Sequence, residues 1–229
     1  AHDARFDGRL FVGGWVCSRS LLRAYDLHTG EMLWEDELSD EDKPSEPVLQ
    51  IAEGRLVSIV QTARHPVVRA YAPTDGTILW QTAEEEFSHG GLLADRSTVA
   101  VVGSLSDDAS TYRYGFRARD AASGALRWVW DVNDFHGAPI GRGYRTALGH
   151  GTFLEYIETR DAPVSSWLIA RDSTTGETIW EKRVSLHDSL ADIIIGPERV
   201  HVVGVSGLYN ERCDCWTNQF YVACLDVAS

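Results

Sequence analysis

A glycine followed four residues later by a tryptophan occurs four times in the chain, each time in the same local setting. Residues 23–34 read RAYDLHTGEMLW, 69–80 RAYAPTDGTILW, 117–128 RARDAASGALRW and 169–180 IARDSTTGETIW. The pairs are Gly30 and Trp34, Gly76 and Trp80, Gly124 and Trp128, and Gly176 and Trp180. A fifth copy opens at Cys224 as CLDVAS, where the sequence reaches Ser229. The small residues Ala24, Ala70, Ala118, Ala170 and Cys224 lie 46, 48, 52 and 54 positions apart. One unit of such a repeat cannot bury its own apolar face, so the period implies stacked supersecondary units.

The residue types give the unit its shape. Each glycine suits a positive φ at a tight turn, where a Cβ would clash. The Thr, Ser or Asp before it bonds back to the turn backbone. Apolar alternation on both sides, LLRAY before and EMLWEDEL after, predicts two strands joined by a hairpin. The small alanine leaves room for a neighbouring indole, and the repeated Trp is expected to pack between adjacent sheets. Such a residue buries ~150–250 Å² and needs an acceptor for its N–H. Four of the 8 tryptophans are therefore assigned to packing rather than to ligand binding.

Two more strands precede each motif. Residues 47–52 and 55–61 flank Glu53-Gly54, a turn signal, and 92–94 lead into 98–103. Residues 146–148 lead into 152–158, and 191–195 into 200–205. At the start, Asp7-Gly8 precedes 9–13, with residues 1–6 in the place of a shortened first strand. No helical period is sustained. Four strands per ~50 residues, repeated, predict an all-β protein, a β-propeller of four-stranded blades with five repeats and the last incomplete. The expected organisation is one domain over 1–229, with blades at roughly 1–40, 41–86, 87–135, 136–186 and 187–229.

The pattern A-x-D-x-x-T-G-x-x-x-W resembles the tryptophan-docking motif of the PQQ-like, quinoprotein-type β-propeller repeats. The resemblance covers almost the whole chain and departs once, with Ala72 where Asp26, Asp120, Asp172 and Asp226 stand. It implies the blade and leaves the activity open. Quinone-dependent dehydrogenases of that family carry an adjacent Cys-Cys pair beside a cofactor on the ring axis. Here only Cys213-Asp214-Cys215 is present, and no Asn-Glu-Asp calcium set can be assigned. PQQ is thus not supported by the motifs, and no cofactor is required. Five repeats are compatible with a small closed ring or with part of a larger one.

Phosphate-loop, H-E-x-x-H, G-x-S-x-G and C-x-x-C-H signatures are absent, and no residue is assigned a catalytic role. One constellation stands out. His2, His89, His136 and His187 each precede an inner strand, and Glu46 takes that place in the second repeat. Inner strands of a propeller start around the axial channel, so these residues are expected at its rim. Two readings stay open there: a site for a metal or an anionic ligand, or plain loop histidines on a polar edge. From the preceding Trp the distances are uneven, at 12, 9, 8 and 7 residues for Glu46, His89, His136 and His187.

The four cysteines are Cys17, Cys213, Cys215 and Cys224. The expected bridge runs from the loop holding Cys213 and Cys215 to Cys224, pinning a long hairpin. An even cysteine count suits an oxidising, extracytoplasmic compartment, periplasmic or secreted. The net charge of −13 disfavours a nucleic-acid partner, and no apolar run reaches the ~18 residues of a membrane-spanning helix. Acidic stretches at Glu35–Asp42, Glu84–Glu86 and Asp107-Asp108 are expected to be solvated. The function that follows is a non-catalytic propeller, a protein-interaction scaffold or ligand-sensing domain with a protein partner. The alternatives are a relative or fragment of a quinoprotein oxidoreductase, or a small propeller enzyme with an axial metal.

Overall fold

The computed structural model describes residues 2–16, 19–39, 46–105, 113–132, 134–136, 138–159, 166–184, 190–197, 199–210 and 215–226. The described elements are all strands. The chain forms two compact units, Ala1–Asp131 and Val132–Ser229. Unit 1 holds three sheets, each a four-stranded antiparallel meander in chain order. Blade 1 is β1 (His2–Phe6), β2 (Arg9–Val16), β3 (Arg19–Asp26) and β4 (Met32–Ser39). Blade 2 is β5 (Val48–Ala52), β6 (Arg55–Gln61), β7 (Pro66–Tyr71) and β8 (Ile78–Ala83). Blade 3 is β9 (His89–Asp95), β10 (Thr98–Ser104), β11 (Tyr114–Asp120) and β12 (Leu126–Val132).

In unit 2, blade 4 has the two-residue β13 (Asp134–Phe135), then β14 (Ala138–Gly149), β15 (Thr152–Thr159), β16 (Ser166–Asp172) and β17 (Thr178–Val184). Blade 5 has three strands, β18 (Leu190–Ile195), β19 (Arg199–Asn210) and β20 (Cys215–Asp226). First strands lie side by side, β1 with β5 and β5 with β9 in unit 1, and β14 with β18 in unit 2. This is the β-propeller arrangement, with inner strands adjacent and outer strands at the periphery. Five repeats are present and the fifth sheet is incomplete. β1 is a strand as long as β5, so the first blade is not shortened at its inner edge.

The first hairpins of blades 1, 2 and 4 turn through Asp7-Gly8, Glu53-Gly54 and His150-Gly151, all six residues at positive φ. Two successive left-handed residues match the right-handed twist of the flanking strands. The T-G turn is built differently. In blade 1, Asp26 Oδ1 accepts the N–H groups of His28 and Thr29, each at 2.8 Å. Asp172 does the same for Thr174 and Thr175 in blade 4. These bonds favour the ionised carboxylate and hold Asp26 below the usual range. In blade 2, where Ala72 replaces the aspartate, Asp75 Oδ1 accepts the Thr77 N–H at 3.0 Å instead.

Blades are joined through the tryptophans. The motif alanine faces its own blade's Trp across the ladder, as Ala24 with Trp34, Ala70 with Trp80 and Ala170 with Trp180. The neighbouring contact belongs to the glycine, not to the alanine as expected. The indole of Trp34 lies on Gly76 of blade 2, so close that a Cβ there would come within 2.7 Å of the ring. Its Nε1–H donates to the Pro73 carbonyl at 3.1 Å. Trp80 repeats the arrangement on Gly124, with its N–H on the Ala121 carbonyl at 3.0 Å. Around each indole, apolar residues of two blades interlock: Phe11, Leu22 and Leu38 with Leu56, Val60 and Tyr71, and Val57, Ile59 and Val68 with Leu92, Val99 and Val101. Blades 4 and 5 share a third such cluster around Tyr156, Leu168, Val200 and Val202, with Trp180 against it.

Gly30 and Gly76 provide a matched pair. Both have φ near +74, but nothing lies within 4 Å of a Cβ at Gly30. Gly30→Ala should cost about 1–2 kcal/mol for the left-handed backbone alone. Gly76→Ala adds the displacement of Trp34, roughly 1–3 kcal/mol more. Urea unfolding of the two variants checks this, and equal losses would contradict the indole contact.

Candidate functional site

The sequence-predicted rim residues are only partly brought to equivalent positions. His2 opens β1, Glu46 lies exposed two residues ahead of β5, and His89 opens β9 and is exposed. Counted back from the last residue of each first strand, Glu46 is six before Ala52 and His89 six before Asp95. His2 is four before Phe6, so it falls out of that register. His136 departs further. It forms the turn between β13 and β14 at φ 53, with its ring 4.7 Å from that of Trp167 and Nε2 3.2 Å from Glu181 Oε1. Trp167 and Glu181 are on β16 and β17, the third and fourth strands of blade 4. A register shift between Ile140 and Tyr144 interrupts β14 after this hairpin. The short hairpin thus brings His136 against the third and fourth strands of its own blade. His187 lies outside the described residues. Among the described residues, no group of three or more His, Cys, Asp or Glu is placed to hold a metal.

The expected disulfide ends at Cys224. Cys224 is a free, exposed thiol. Cys215 and Cys224 belong to the same extended strand, β20, nine residues apart. At about 3.3 Å per residue that is roughly 30 Å, far beyond the reach of a bridge. The ladder with β19 holds the hairpin instead. Cys17 and Cys213 lie outside the described residues.

The acidic stretches are where the structure adds most. Glu35 to Leu38 belong to the outer strand β4, not to a connection. Glu35 pairs with Arg23 at 2.6 Å, and Asp36 accepts from Arg69 Nη1 at 3.1 Å and from the Tyr71 hydroxyl at 2.8 Å. Burial and the Asp36 charge both push that hydroxyl's pKa up. Between blades 2 and 3, Glu84 is buried against Arg119 at 2.7 Å. Glu86 and Asp131 clamp Arg117, whose guanidinium lies 5.0 Å over the Phe87 ring. Glu84, Glu86, Phe87, Arg117 and Arg119 line an open cleft of about 230 Å³, with Ala83, Glu85 and Leu126 completing its wall. Both guanidinium groups are already paired to carboxylates there, so the cleft's charges hold blades together before they meet any ligand. Asp107 and Asp108 lie outside the described residues.

A pattern not singled out in the sequence accounts for this. Arg23, Arg69 and Arg117 all stand directly before the motif alanine. They face the outer strand of their own blade, at Glu35, Gln81 and Asp131. Arg69 and Arg117 also reach back to acids contributed by the preceding blade, at Asp36 and Glu86. In blade 4 Ile169 takes the place, and Arg171 lies 3.4 Å from Glu155. Glu155 is fully buried, with neither oxygen hydrogen-bonded. Burial pushes its carboxyl well above the usual range, and Arg171 opposes this.

The class defined by this fold is the β-propeller of PQQ-like repeats. A family model described as outer membrane protein assembly factor BamB matches residues 64–207, more than half of the chain, and the chain belongs to this family. No curated protein matches it. Among solved structures, the chain is similar to the quinohemoprotein alcohol dehydrogenase ADHIIG from Pseudomonas putida HK5, at 12% identity and a TM-score of 0.57, over 99% of this chain and 40% of the enzyme. A europium-containing methanol dehydrogenase aligns at 15% identity and 0.57, over 96% and 51%. The β-propeller domain of the Trilobed protease from Pyrococcus furiosus aligns at 8% identity and 0.61, over 98% and 69%. These likenesses are of fold alone. The chain spans about half the length, or less, of the two dehydrogenases.

Two predictions test the electrostatics. Arg119→Ala strands the buried Glu84 carboxylate and should cost about 3–5 kcal/mol, whereas Arg19→Ala, which breaks an exposed pair with Glu37, should cost about 0–1 kcal/mol. Unfolding midpoints in urea compare them, and a small loss for Arg119→Ala would contradict the buried pair. The second concerns Glu155. Its folded carboxyl holds a proton at higher pH than an unfolded glutamate, which titrates near 4.3. Its contribution to stability is therefore greatest below that pH and is lost as pH rises through the folded value. Glu155→Gln should remove this decline and flatten stability above about pH 4; an unchanged pH slope would contradict it.

Proposed function

We propose that the chain, as a single PQQ-like propeller domain over residues 1–229, is a non-catalytic scaffold that presents its blade edges to a protein partner in an extracytoplasmic compartment. The observation that carries this reading is the repeated exposure of apolar side chains on the outer strands. Met32 and Leu33, and Ile78 and Leu79, occupy the two positions before the repeat Trp, and all four are more than two-fifths exposed. Leu126 and Ile179 extend the series in blades 3 and 4, each half exposed. Isolated exposed leucines are ordinary, but apolar groups at the same two register positions of successive outer strands are the composition of a contact surface. Membership of a family described as an outer membrane protein assembly factor supports both a protein partner and a location outside the cytoplasm. The ion-paired arginines support the same reading, since the most prominent charges near the cleft serve blade packing.

The test is site-specific photo-crosslinking in cells from positions 33 and 79, with exposed Glu53 as the control site. The expected result is one discrete adduct from both outer-strand positions and none from the control. Absence of adducts, together with substrate-dependent dye reduction by the purified chain loaded with PQQ and Ca²⁺, would overturn the scaffold in favour of a quinoprotein enzyme.

A further inference from the structure

A smaller cleft of about 110 Å³ lies beside the one described above and shares Glu85, Glu86 and Phe87 with it; Arg64, Ser88 and Leu105 complete its lining. Phe87 is buried, and the surface the cleft offers is mostly polar. Both walls are fixed by bonds that leave the Arg64 and Glu85 side chains unused. On one wall, the turn between β6 and β7 closes on Thr62. Its N–H and its hydroxyl donate to the His65 carbonyl at 3.2 and 2.7 Å, and the hydroxyl accepts the N–H groups of Arg64 and His65, each at 3.3 Å. On the other wall, the Glu84 N–H donates to the Pro66 carbonyl at 2.9 Å and the Phe87 N–H to the Glu84 carbonyl at 3.0 Å. Gln61 ties the walls together, its Nε2 donating to the Thr62 carbonyl at 3.2 Å and to the Ser88 carbonyl at 2.8 Å.

Two charged side chains of opposite sign stand on these walls. Nine arginines of unit 1 lie within 4.0 Å of a carboxylate. Arg64 is exposed and, among the described residues, meets none. Glu84 and Glu86 are taken up by Arg119 and Arg117. Glu85 between them is exposed, with no partner among the described residues. A cation and an anion that line one cleft without meeting leave a place for a molecule carrying both charges.

We propose that this cleft binds a small zwitterion, a free α-amino acid with little or no side chain, its carboxylate on Arg64 and its ammonium on Glu85. The guanidinium presents two parallel donors to a carboxylate, and the Glu85 carboxylate accepts from the ammonium. The small, polar cleft suits a ligand of few heavy atoms. Fixed walls spare the complex the cost of ordering loops. Both charges stay in contact with water, which holds the affinity in the millimolar range. The site goes beyond the scaffold reading and does not depend on it.

The test titrates the full chain with free glycine at fixed pH and ionic strength, followed through the amide ¹H and ¹⁵N shifts of His65 and Ser88. Both should shift saturably, with a dissociation constant of about 1–10 mM. Acetate lacks the ammonium and methylammonium lacks the carboxylate, so each should bind at least about tenfold more weakly. Arg64→Gln and Glu85→Gln should each weaken glycine binding about tenfold and leave the rest of the spectrum in place. No saturable shift with glycine overturns the proposal. So does acetate binding as tightly as glycine, which would make the cleft a simple anion site, or glycine binding that neither variant weakens.

Discussion

The contact between an indole and the glycine turn of the next blade is the constraint on which the rest of the structure depends. The middle strands β6, β10 and β15 are buried on both faces, so their sheets must be covered by neighbours. What turns a series of meanders into a propeller is a feature that fixes the distance and angle between neighbours. Trp34 on Gly76 and Trp80 on Gly124 do this with one large flat ring, one hydrogen bond to a turn carbonyl, and a site with no Cβ. The glycine serves twice, at a positive φ and as the floor of the indole site. An aspartate then keeps the turn in shape, the motif residue Asp120 at Gly124 and Asp75 at Gly76, where the motif position is Ala72. These are three residues for one junction, which is why they recur together.

Charge is arranged around that junction. An acidic chain with many outer edges would be expected to keep its carboxylates in water, as free charges that discourage edge pairing. Instead Asp36, Glu84 and Glu86 meet arginines of the following blade, and Glu84 is buried in doing so. The apolar residues of the outer strands are left exposed, Met32, Leu33, Ile78 and Leu79 among them. The periphery is therefore more apolar, and the spaces between blades more charged, than composition suggests. That distribution suits a protein whose edges meet other proteins.

The fold was legible in the sequence because the repeat states one local solution four times over. Strand positions, turns and the incomplete last blade follow from spacing alone. The details that were not legible depend on what lies across a gap between blades. Ala24 and Gly76 are both small, and only the three-dimensional arrangement shows that the neighbouring indole rests on the glycine. His136 precedes an inner strand as His89 does, yet the β13–β14 hairpin and the irregularity in β14 carry it to Trp167 and Glu181. The arginine before each alanine was visible in three repeats, but its partners come from chain segments some thirty residues earlier (Asp36 for Arg69, Glu86 for Arg117). Sequence periodicity reports the unit, and the junctions between units carry the chemistry.

A double-mutant cycle between Trp34 and Gly76 tests the central claim most directly. Once Trp34→Ala has removed the ring, Gly76→Ala should lose only the backbone cost of a left-handed alanine, leaving a coupling of about 0.5–3 kcal/mol between the two sites. The same cycle between Trp34 and Gly30, which the ring does not cover, should be additive. If Gly76→Ala costs as much without the indole as with it, the blades are not held together in the way described.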